Sequence, residues 1–363
     1  MVVKIIEYCV NNKFIILLLT SFLIAFGIWA MYRMPLDALP DLSDVQVIIF
    51  TDWHGRSPDL IEKQITYPIV TSMLGAPRVK YTRGLSMFGE SFVYVIFEEG
   101  TDIYWARSRV LEYMQGVTGR LPEGVTPTLG PDATGVGWVF EYALLDETGR
   151  HSLAELRSIQ DWYLRYILQG VKGVAEVASI GGFVKQYQVN LDPIKLLSYN
   201  IPVDRIVESI RMNNNDVGGR VLEASGREYM IRGRGYIQSL EDLNDISVGV
   251  DKNGTPILLR DIANVGIGPD IRRGVVELDG KGEVVGGIVI MRYGENALNV
   301  IKRVKEKIAE IEPSLPEGVK IIPTYDRSNL ILRAIDTLKK ELVNLSIVVS
   351  IVVLIFILHL PSA

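Results

Sequence analysis

Two long apolar runs without a charged side chain lie near the two ends of this chain. The first covers residues 14–31 and the second covers residues 342–360, and neither contains Asp, Glu, Lys or Arg. Each is close to the ~20 residues that an α-helix needs to cross the hydrocarbon core of a bilayer, where a helix satisfies its own backbone. We therefore predict two transmembrane helices with a large polar segment between them.

Each apolar run also has a simpler interpretation. Lys4 and Lys13 precede the first run, as in a cleaved signal peptide, but the run exceeds the ~7–15 residues of a signal-peptide core and no small-x-small cleavage site follows it. The second run would otherwise be a buried core helix, although its apolar residues cover every face of a helix instead of one stripe. Both alternatives remain open at this point.

The charges beside the first run indicate its orientation. Lys4 and Lys13 lie before the run and Asp37 follows it, so the positive-inside rule makes residues 1–32 a cytoplasmic start plus the first transmembrane helix. The middle of the chain is then expected on the side of the membrane away from the cytoplasm. Cys9, the single cysteine, lies beside the first run, so the middle has no thiol for a disulfide. The net charge of −5 comes from interspersed charges and argues against a nucleic-acid partner.

Residues 33–135 carry the pattern of one compact α+β unit. A strand is followed by a helix, two strands and a second helix, and Ser57 and Asp102 are predicted as the N-caps of the two helices. These are five of the six elements of a ferredoxin-like unit. We expect the strand predicted at 319–325 to close this unit.

A second unit of the same kind is predicted from two separate stretches. Residues 136–192 read strand, helix, strand, strand, with Ser152 and Glu155 at capping-box positions, and residues 275–318 add a strand and a helix. The insertion between them, 193–274, is rich in turn residues and is expected either to contact another molecule or to be a surface loop. An amphipathic connecting helix at 326–341 then leads into the second transmembrane helix at 342–363.

Several runs of residues resemble one known family when they are taken in order. The runs are PLDALPDLSDVQV at 35–47, GPDATGVGW at 130–138 and TYDRS at 324–328. They resemble the resistance-nodulation-division (RND) transporters, and more specifically the copper/silver-exporting type of the heavy-metal-efflux branch. The resemblance extends over essentially the whole chain.

The resemblance implies a function and a set of partners. It implies a proton-driven antiporter, not an enzyme, that exports Cu(I) or Ag(I) as a homotrimer with a periplasmic adaptor (membrane fusion) protein and an outer-membrane channel. It also implies a multi-pass protein of the inner membrane with its middle domain in the periplasm. The two ferredoxin-like units would be porter subdomains, and 193–274 a docking subdomain whose loop near 213–234 resembles the arm extended to a neighbouring subunit. Family members are nearly three times longer. The chain is therefore expected to be an amino-terminal fragment, with the metal-binding methionines and proton-carrying carboxylates beyond it.

Arg83 and Met87 are the candidate substrate-path residues. Cu(I) and Ag(I) prefer thioether sulfur to oxygen, and Met87 lies in a predicted turn near Arg83 on the preceding strand. The alternatives are a gap-filling core methionine and a solvated arginine. His54 and His151 are isolated and no phosphate-binding loop is present, so no catalytic, cofactor or metal site is predicted in this chain.

Three other functions remain open from the sequence. An exporter of another metal or of organic compounds would keep the fold and change the residues along the path. A two-span membrane sensor would need an output module after its second span, and a truncated pump would have no activity of its own. Proton coupling inside a bilayer needs a titratable side chain there. The first run has none, and the second has only His359, one residue from its end, where an interfacial histidine is the alternative, so no coupling site is predicted in this chain.

Overall fold

The computed structural model describes residues 8, 11–33, 37, 40–252, 254–272 and 274–358. Most of the predicted cytoplasmic start, together with Cys9 and His359, lies outside these residues. Helices and sheets are mixed along the chain, so the predicted α+β class is confirmed. The described residues form two compact units, one from Met1–Thr148, Gln160–Ser179 and Gly286–Ala363, and the other from Gly149–Ile159 and Ile180–Val285.

Helix α1 extends over Lys13–Arg33 and contains the first apolar run. Among the described residues, its segment Lys13–Ala30 is the one that is long and apolar enough to cross a membrane. Phe14 and Leu17 on this helix are exposed by 78% and 67%. Because apolar side chains are exposed around the helix, it needs an apolar surrounding.

Helix α10 extends over Arg327–Leu358 and is 32 residues long. The predicted connecting helix at 326–341 and the second apolar run are therefore one continuous helix as far as residue 358. The last residues of that run lie outside the described part of the chain. The second transmembrane span stays a prediction.

The first four-stranded sheet belongs to a complete ferredoxin-like subdomain, which we call the first subdomain. Its strand order is β2-β3-β1-β4. Helices α2 and α3 connect the strands, and α2 contains a π-helical turn in its middle. In chain order the elements are β1 Gln46–Asp52, α2 Pro58–Ile61 with Glu62–Thr66 and Tyr67–Met73, β2 Val79–Met87, β3 Glu90–Phe97, α3 Ile103–Thr118 and β4 Thr128–Leu129.

The second four-stranded sheet has the order β14-β5-β13-β6, which is again ferredoxin-like, and belongs to what we call the second subdomain. Its helix α4 also contains a π-helical turn. The elements are β5 Trp138–Asp146, α4 Leu153–Ile159 with Gln160–Leu164 and Arg165–Gln169, β6 Val174–Gly181, β13 Val285–Met291, α9 Ala297–Ile311 and β14 Val319–Asp326.

The strand that closes the first sheet is not the one predicted from the sequence. Thr128–Leu129 pairs antiparallel with β1 and closes it. The predicted closing strand at 319–325 is β14, which pairs antiparallel with β5 of the second sheet and places Ile321 opposite Leu144. The prediction was wrong because a two-residue strand has no readable periodicity, and spacing along the chain does not show which sheet a late strand joins.

The second compact unit contains the predicted insertion but begins earlier than expected. Strand β7, which the sequence assigned to the second ferredoxin-like unit, pairs with β12 instead. A small core includes Ile206, Leu243 and Leu259. The elements are β7 Lys185–Leu191, α5 Pro193–Tyr199, α6 Val203–Met212, β8 Val217–Ala224, β9 Arg227–Gly233, α7 Leu240–Asn244, β10 Ser247–Val250, β11 Pro256–Leu258, α8 Leu259–Ile262 and β12 Ala263–Pro269.

Two of the three predicted helix caps form as expected. The Asp102 carboxylate accepts a hydrogen bond from the Trp105 amide at 2.8 Å. Ser152 and Glu155 form the reciprocal capping box, with the Ser152 amide donating to Glu155 at 2.8 Å and the Glu155 amide donating to the Ser152 hydroxyl at 3.3 Å. Ser57 precedes α2 as predicted, but its side chain makes no capping hydrogen bond.

Candidate functional site

The first sheet has one face covered by helices and one face that we call the open face. Alternate residues of β3 are buried, as for Val93 and Val95, whereas the residues between them, such as Phe92 and Tyr94, remain partly exposed. β1 alternates in the same way, with Ile49 buried and Phe50 partly exposed. Because successive side chains of a strand point to opposite faces, the partly exposed residues form one surface.

Arg83 and Met87 both lie on the open face. Arg83 pairs across the strands with Tyr94, and its guanidinium carbon is 4.8 Å from the centroid of the Tyr94 ring. Met87 pairs with Glu90 at the end of β2 and is 45% exposed. Four residues of strand separate the two by about 13 Å, so they are two points on one surface and not a joint ligand set.

Aromatic and aliphatic side chains surround these two residues, and the sequence analysis did not single them out. Phe50 and Phe92 are paired across β1 and β3 with ring centroids 5.0 Å apart. Leu85, on β2 between the two candidates, is 48% exposed. The i, i+2 spacing of Phe92 and Tyr94 was visible in the sequence. Nothing in that spacing indicated which face of the sheet would stay uncovered.

The described residues offer no ready-made chelating site. They contain no group of three or more His, Cys, Asp or Glu side chains that could hold a metal ion. Met73, Met114 and Met291 are at most 9% exposed, which fits the gap-filling role, whereas Met87 is accessible.

A second group of polar residues surrounds residues 130–137, which connect the two sheets and which we call the joining loop. The Asp132 carboxylate accepts a hydrogen bond from Tyr104 at 3.1 Å and pairs with the Arg292 guanidinium at 2.8 Å. The Arg107 guanidinium donates to the Gly130 carbonyl oxygen at 2.8 Å. Side chains from both subdomains therefore hold this loop.

Asp41 attaches the segment before β1 to the joining loop. Its carboxylate accepts hydrogen bonds from the Thr134 hydroxyl at 2.6 Å and from the Ser43 amide at 3.0 Å. Burial alone would raise the pKa of Asp41, but these hydrogen bonds outweigh it and hold the pKa below its ordinary value. The residues beside it line a cavity of about 140 Å³ with Gln46 and Tyr293.

Asp326 lies where β14 passes directly into α10. The Lys305 ammonium pairs with its carboxylate, which also accepts hydrogen bonds from the Ser328 hydroxyl at 2.6 Å and the Ser328 amide at 3.0 Å. Burial would raise the pKa of Asp326, but the bonds from Lys305 and Ser328 prevail and lower it. The first turn of α10 is thereby attached to the second subdomain.

Acid is expected to weaken this attachment. Because the folded-state pKa of Asp326 lies below its unfolded value near 3.8, its stabilisation is complete above that value and is lost as the pH falls through the folded-state pKa. Melting temperatures measured from about pH 6 down to about pH 3 should fall less steeply for Asp326→Asn than for the unsubstituted protein. Parallel curves for the two proteins would contradict this expectation.

Comparison with known proteins identifies the relatives of this chain. The sequence matches the model described as the AcrB/AcrD/AcrF family over residues 5–363. It is 53% identical over 363 residues to the cation efflux system protein CusA of Escherichia coli (strain K12). This alignment covers 100% of the present chain and 35% of CusA. The chain is 52% identical, with the same coverage, to the putative cation efflux system protein SilA of Salmonella typhimurium.

A solved structure agrees with these sequence matches. The fold superimposes on a crystal structure of a heavy metal efflux pump with a TM-score of 0.81 and 31% sequence identity. The match covers 92% of this chain and 33% of that one. The chain thus spans about a third of the length of the relatives that it matches.

Proposed function

The chain belongs to the AcrB/AcrD/AcrF family, and from this premise we propose that it is the amino-terminal part of an RND pump subunit that exports heavy-metal cations. The observation that carries the proposal is identity above 50% along the whole chain to two cation efflux proteins. Proton antiport would depend on the remainder of a longer protein. The function is transport and not enzymatic catalysis.

We propose Cu(I) or Ag(I) as the cargo. The runs at 35–47, 130–138 and 324–328 resemble the copper/silver-exporting type, and a half-exposed thioether at Met87 suits a soft monovalent ion. An exporter of another metal or of organic compounds is the alternative. Export assays that compare Zn²⁺ and Co²⁺ with Ag⁺ distinguish a copper/silver exporter from an exporter of another metal.

We further propose that the protein is a multi-pass protein of the inner membrane, with the segment between α1 and α10 in the periplasm. The exposed apolar surface of α1 and the length of α10 support two spans. The two subdomains would be porter subdomains, and the second compact unit a docking subdomain. Assembly as a homotrimer with a periplasmic adaptor and an outer-membrane channel completes this proposal.

Within this function, the open face forms part of the path of the exported ion. The Arg83 guanidinium and the Tyr94 ring form one polar site on it, and the Met87 thioether is a soft ligand atom at its edge. The Arg83 guanidinium would repel a cation beside it and the single thioether of Met87 would hold a soft ion only weakly, so an ion on this face would not be retained. Both roles require that the residues act on the ion and not on the fold.

Substitution of Met87 tests this path. In the full-length pump subunit containing this chain, Met87→Leu keeps the volume and removes the sulfur, so we expect weaker Ag⁺ export by about threefold to tenfold with an unchanged melting temperature. Export is measured as Ag⁺ transport by reconstituted vesicles. Lys63→Met, at an exposed position of α2, serves as the control.

Three results would separate the parts of the proposal. Loss of export in Met87→Leu with normal export by the control supports the path. Equal export by Met87→Leu and the unsubstituted protein would exclude Met87 from it. No Ag⁺ export by the unsubstituted full-length subunit would contradict the proposed cargo.

A further inference from the structure

Arg327 is a charged side chain in a position where charges are rarely found. It is the first residue of α10, is 1% exposed and is one of the largest fully buried side chains among the described residues. Burying a cation away from water is costly unless opposite charge and hydrogen-bond acceptors surround it. The groups that contact Arg327 therefore indicate why a cation is buried at this position.

Two separate segments of the chain supply these neighbours. The Nη2 atom of Arg327 is 3.2 Å from the Asp37 carboxylate, which lies in the segment between α1 and β1. The Nη1 atom donates a hydrogen bond to the carbonyl oxygen of Val136 in the joining loop. A single guanidinium thus connects the first turn of α10, the segment after α1 and the joining loop.

The hydrogen bonding of this guanidinium is incomplete. The Nε and Nη2 atoms have no hydrogen-bond partner of good geometry within the described part of the chain, although Nη2 is close enough to Asp37 for an ion pair. An arginine that serves only to stabilise a carboxylate typically uses two parallel N–H bonds. Among the described residues, the guanidinium is thus held by one ion pair and one hydrogen bond, fewer than its five N–H donors allow.

The other side of the same helical turn is held differently. Asp326 and Ser328 are attached to Lys305 of α9, so the second subdomain holds the start of α10 firmly. The helix then continues without interruption to residue 358. Because the helix is continuous, a displacement of α10 would reach the second subdomain through Lys305 and the other attached segments through Arg327.

We propose that Arg327 is a positioning residue that couples movement of α10 to the segment after α1 and to the joining loop between the two subdomains. This inference rests on the proposed export function, because it assigns the coupling to the transport cycle. Arg327 does not contact the ion. It sets the relative position of the parts that must move for export.

The test uses the full-length pump subunit containing this chain, reconstituted in vesicles, with Ag⁺ transport and the melting temperature as readouts. Arg327→Met leaves the Asp37 carboxylate without its buried cation, so a lower melting temperature is expected. The double variant Asp37→Leu/Arg327→Met removes both charges, so neither the buried position of residue 327 nor the partly exposed position of residue 37 keeps an uncompensated charge. We expect this double variant to melt as the unsubstituted protein does while its maximal Ag⁺ export rate falls about tenfold.

A kinetic readout separates coupling from ion binding. Because Arg327 does not contact the ion, the Ag⁺ concentration that gives half-maximal export should not change in the double variant. Arg327→Lys provides a second variant that keeps a cation and needs no change at Asp37. It is expected to lower the melting temperature less than Arg327→Met does and still to lose export rate, since an ammonium group cannot donate to Asp37 and Val136 in the guanidinium geometry. Lys63→Met, which breaks an exposed ion pair, is the control and should export normally.

The outcomes distinguish this inference from the proposed function. If the unsubstituted protein exports Ag⁺ and the stable double variant exports equally fast, Arg327 is only structural and the inference is overturned. The same conclusion follows if Arg327→Lys is fully active. If the unsubstituted protein exports Zn²⁺ or Co²⁺ but no Ag⁺, only the proposed cargo fails, and a reduced rate in the same variants would still support the coupling. If it exports none of these ions, the proposed function fails.

Discussion

Replacement of Gly287 with valine is expected to destabilise the second subdomain by about 3 kcal/mol. A Cβ atom at Gly287 would lie 2.3 Å from Cζ and 2.4 Å from the hydroxyl oxygen of Tyr142. Tyr142 is 1% exposed and donates a hydrogen bond to the buried Gln160 at 2.9 Å. Because Tyr142 is buried, the substitution overpacks the core, and a displaced ring would lose its hydrogen bond to Gln160.

The melting temperature of the purified full-length protein, followed by near-ultraviolet circular dichroism, measures the effect. Gly116→Ala is the matched control, because a Cβ atom at that position of α3 meets nothing within 4 Å. Alanine in a helix interior is more stable than glycine by about 0.5–1 kcal/mol, so the control should melt slightly higher. If Gly287→Val has the same melting temperature as the unsubstituted protein, the sheet accommodates the valine without a loss of stability and the prediction is wrong.

Shortening the β8–β9 hairpin is expected to abolish trimer assembly and leave the protomer folded. Every residue of both strands is exposed, including Leu222 at 54% and Met230 at 84%. An isolated two-stranded hairpin is marginally stable in water, and exposed apolar side chains on it indicate a protein partner. The resemblance to the family arm makes a neighbouring copy of the chain the expected partner.

The variant replaces residues 219–231 with an Asn-Gly turn, so that the paired residues Gly218 and Arg232 close the shortened hairpin. The Asp216 carboxylate then still accepts the hydrogen bond from the Gly235 amide at 2.9 Å. Light scattering of the detergent-solubilised protein should report protomers in place of trimers, with an unchanged melting temperature.

Point variants refine the hairpin experiment. Leu222→Ser with Met230→Ser should weaken assembly, whereas Glu223→Gln on the same hairpin should not. Trimers that persist after the hairpin is shortened would show that it has no role in assembly. In that case another surface must hold the subunits together.

The sequence alone determined the features that depend on local patterns. The charge-free run at 14–31 predicted α1, Asp102 and Ser152 predicted helix starts, and runs of β-branched and other apolar residues predicted β1 and β3. Each of these patterns depends on the contact of a single helix or strand with lipid, solvent or the protein core. Such signals are contained in a few consecutive residues, which is why they could be read without a structure.

Only the tertiary structure decided which distant segments meet. It placed β14 beside β5, closed the first sheet with two residues at Thr128–Leu129, and left the face with Arg83 and Met87 uncovered. It also buried Arg327, a residue that looks like an ordinary surface arginine in the sequence, against Asp37 and Val136. These contacts join residues that are up to about 290 positions apart. Their energy depends on the arrangement of the whole chain, and no local pattern of residues encodes it.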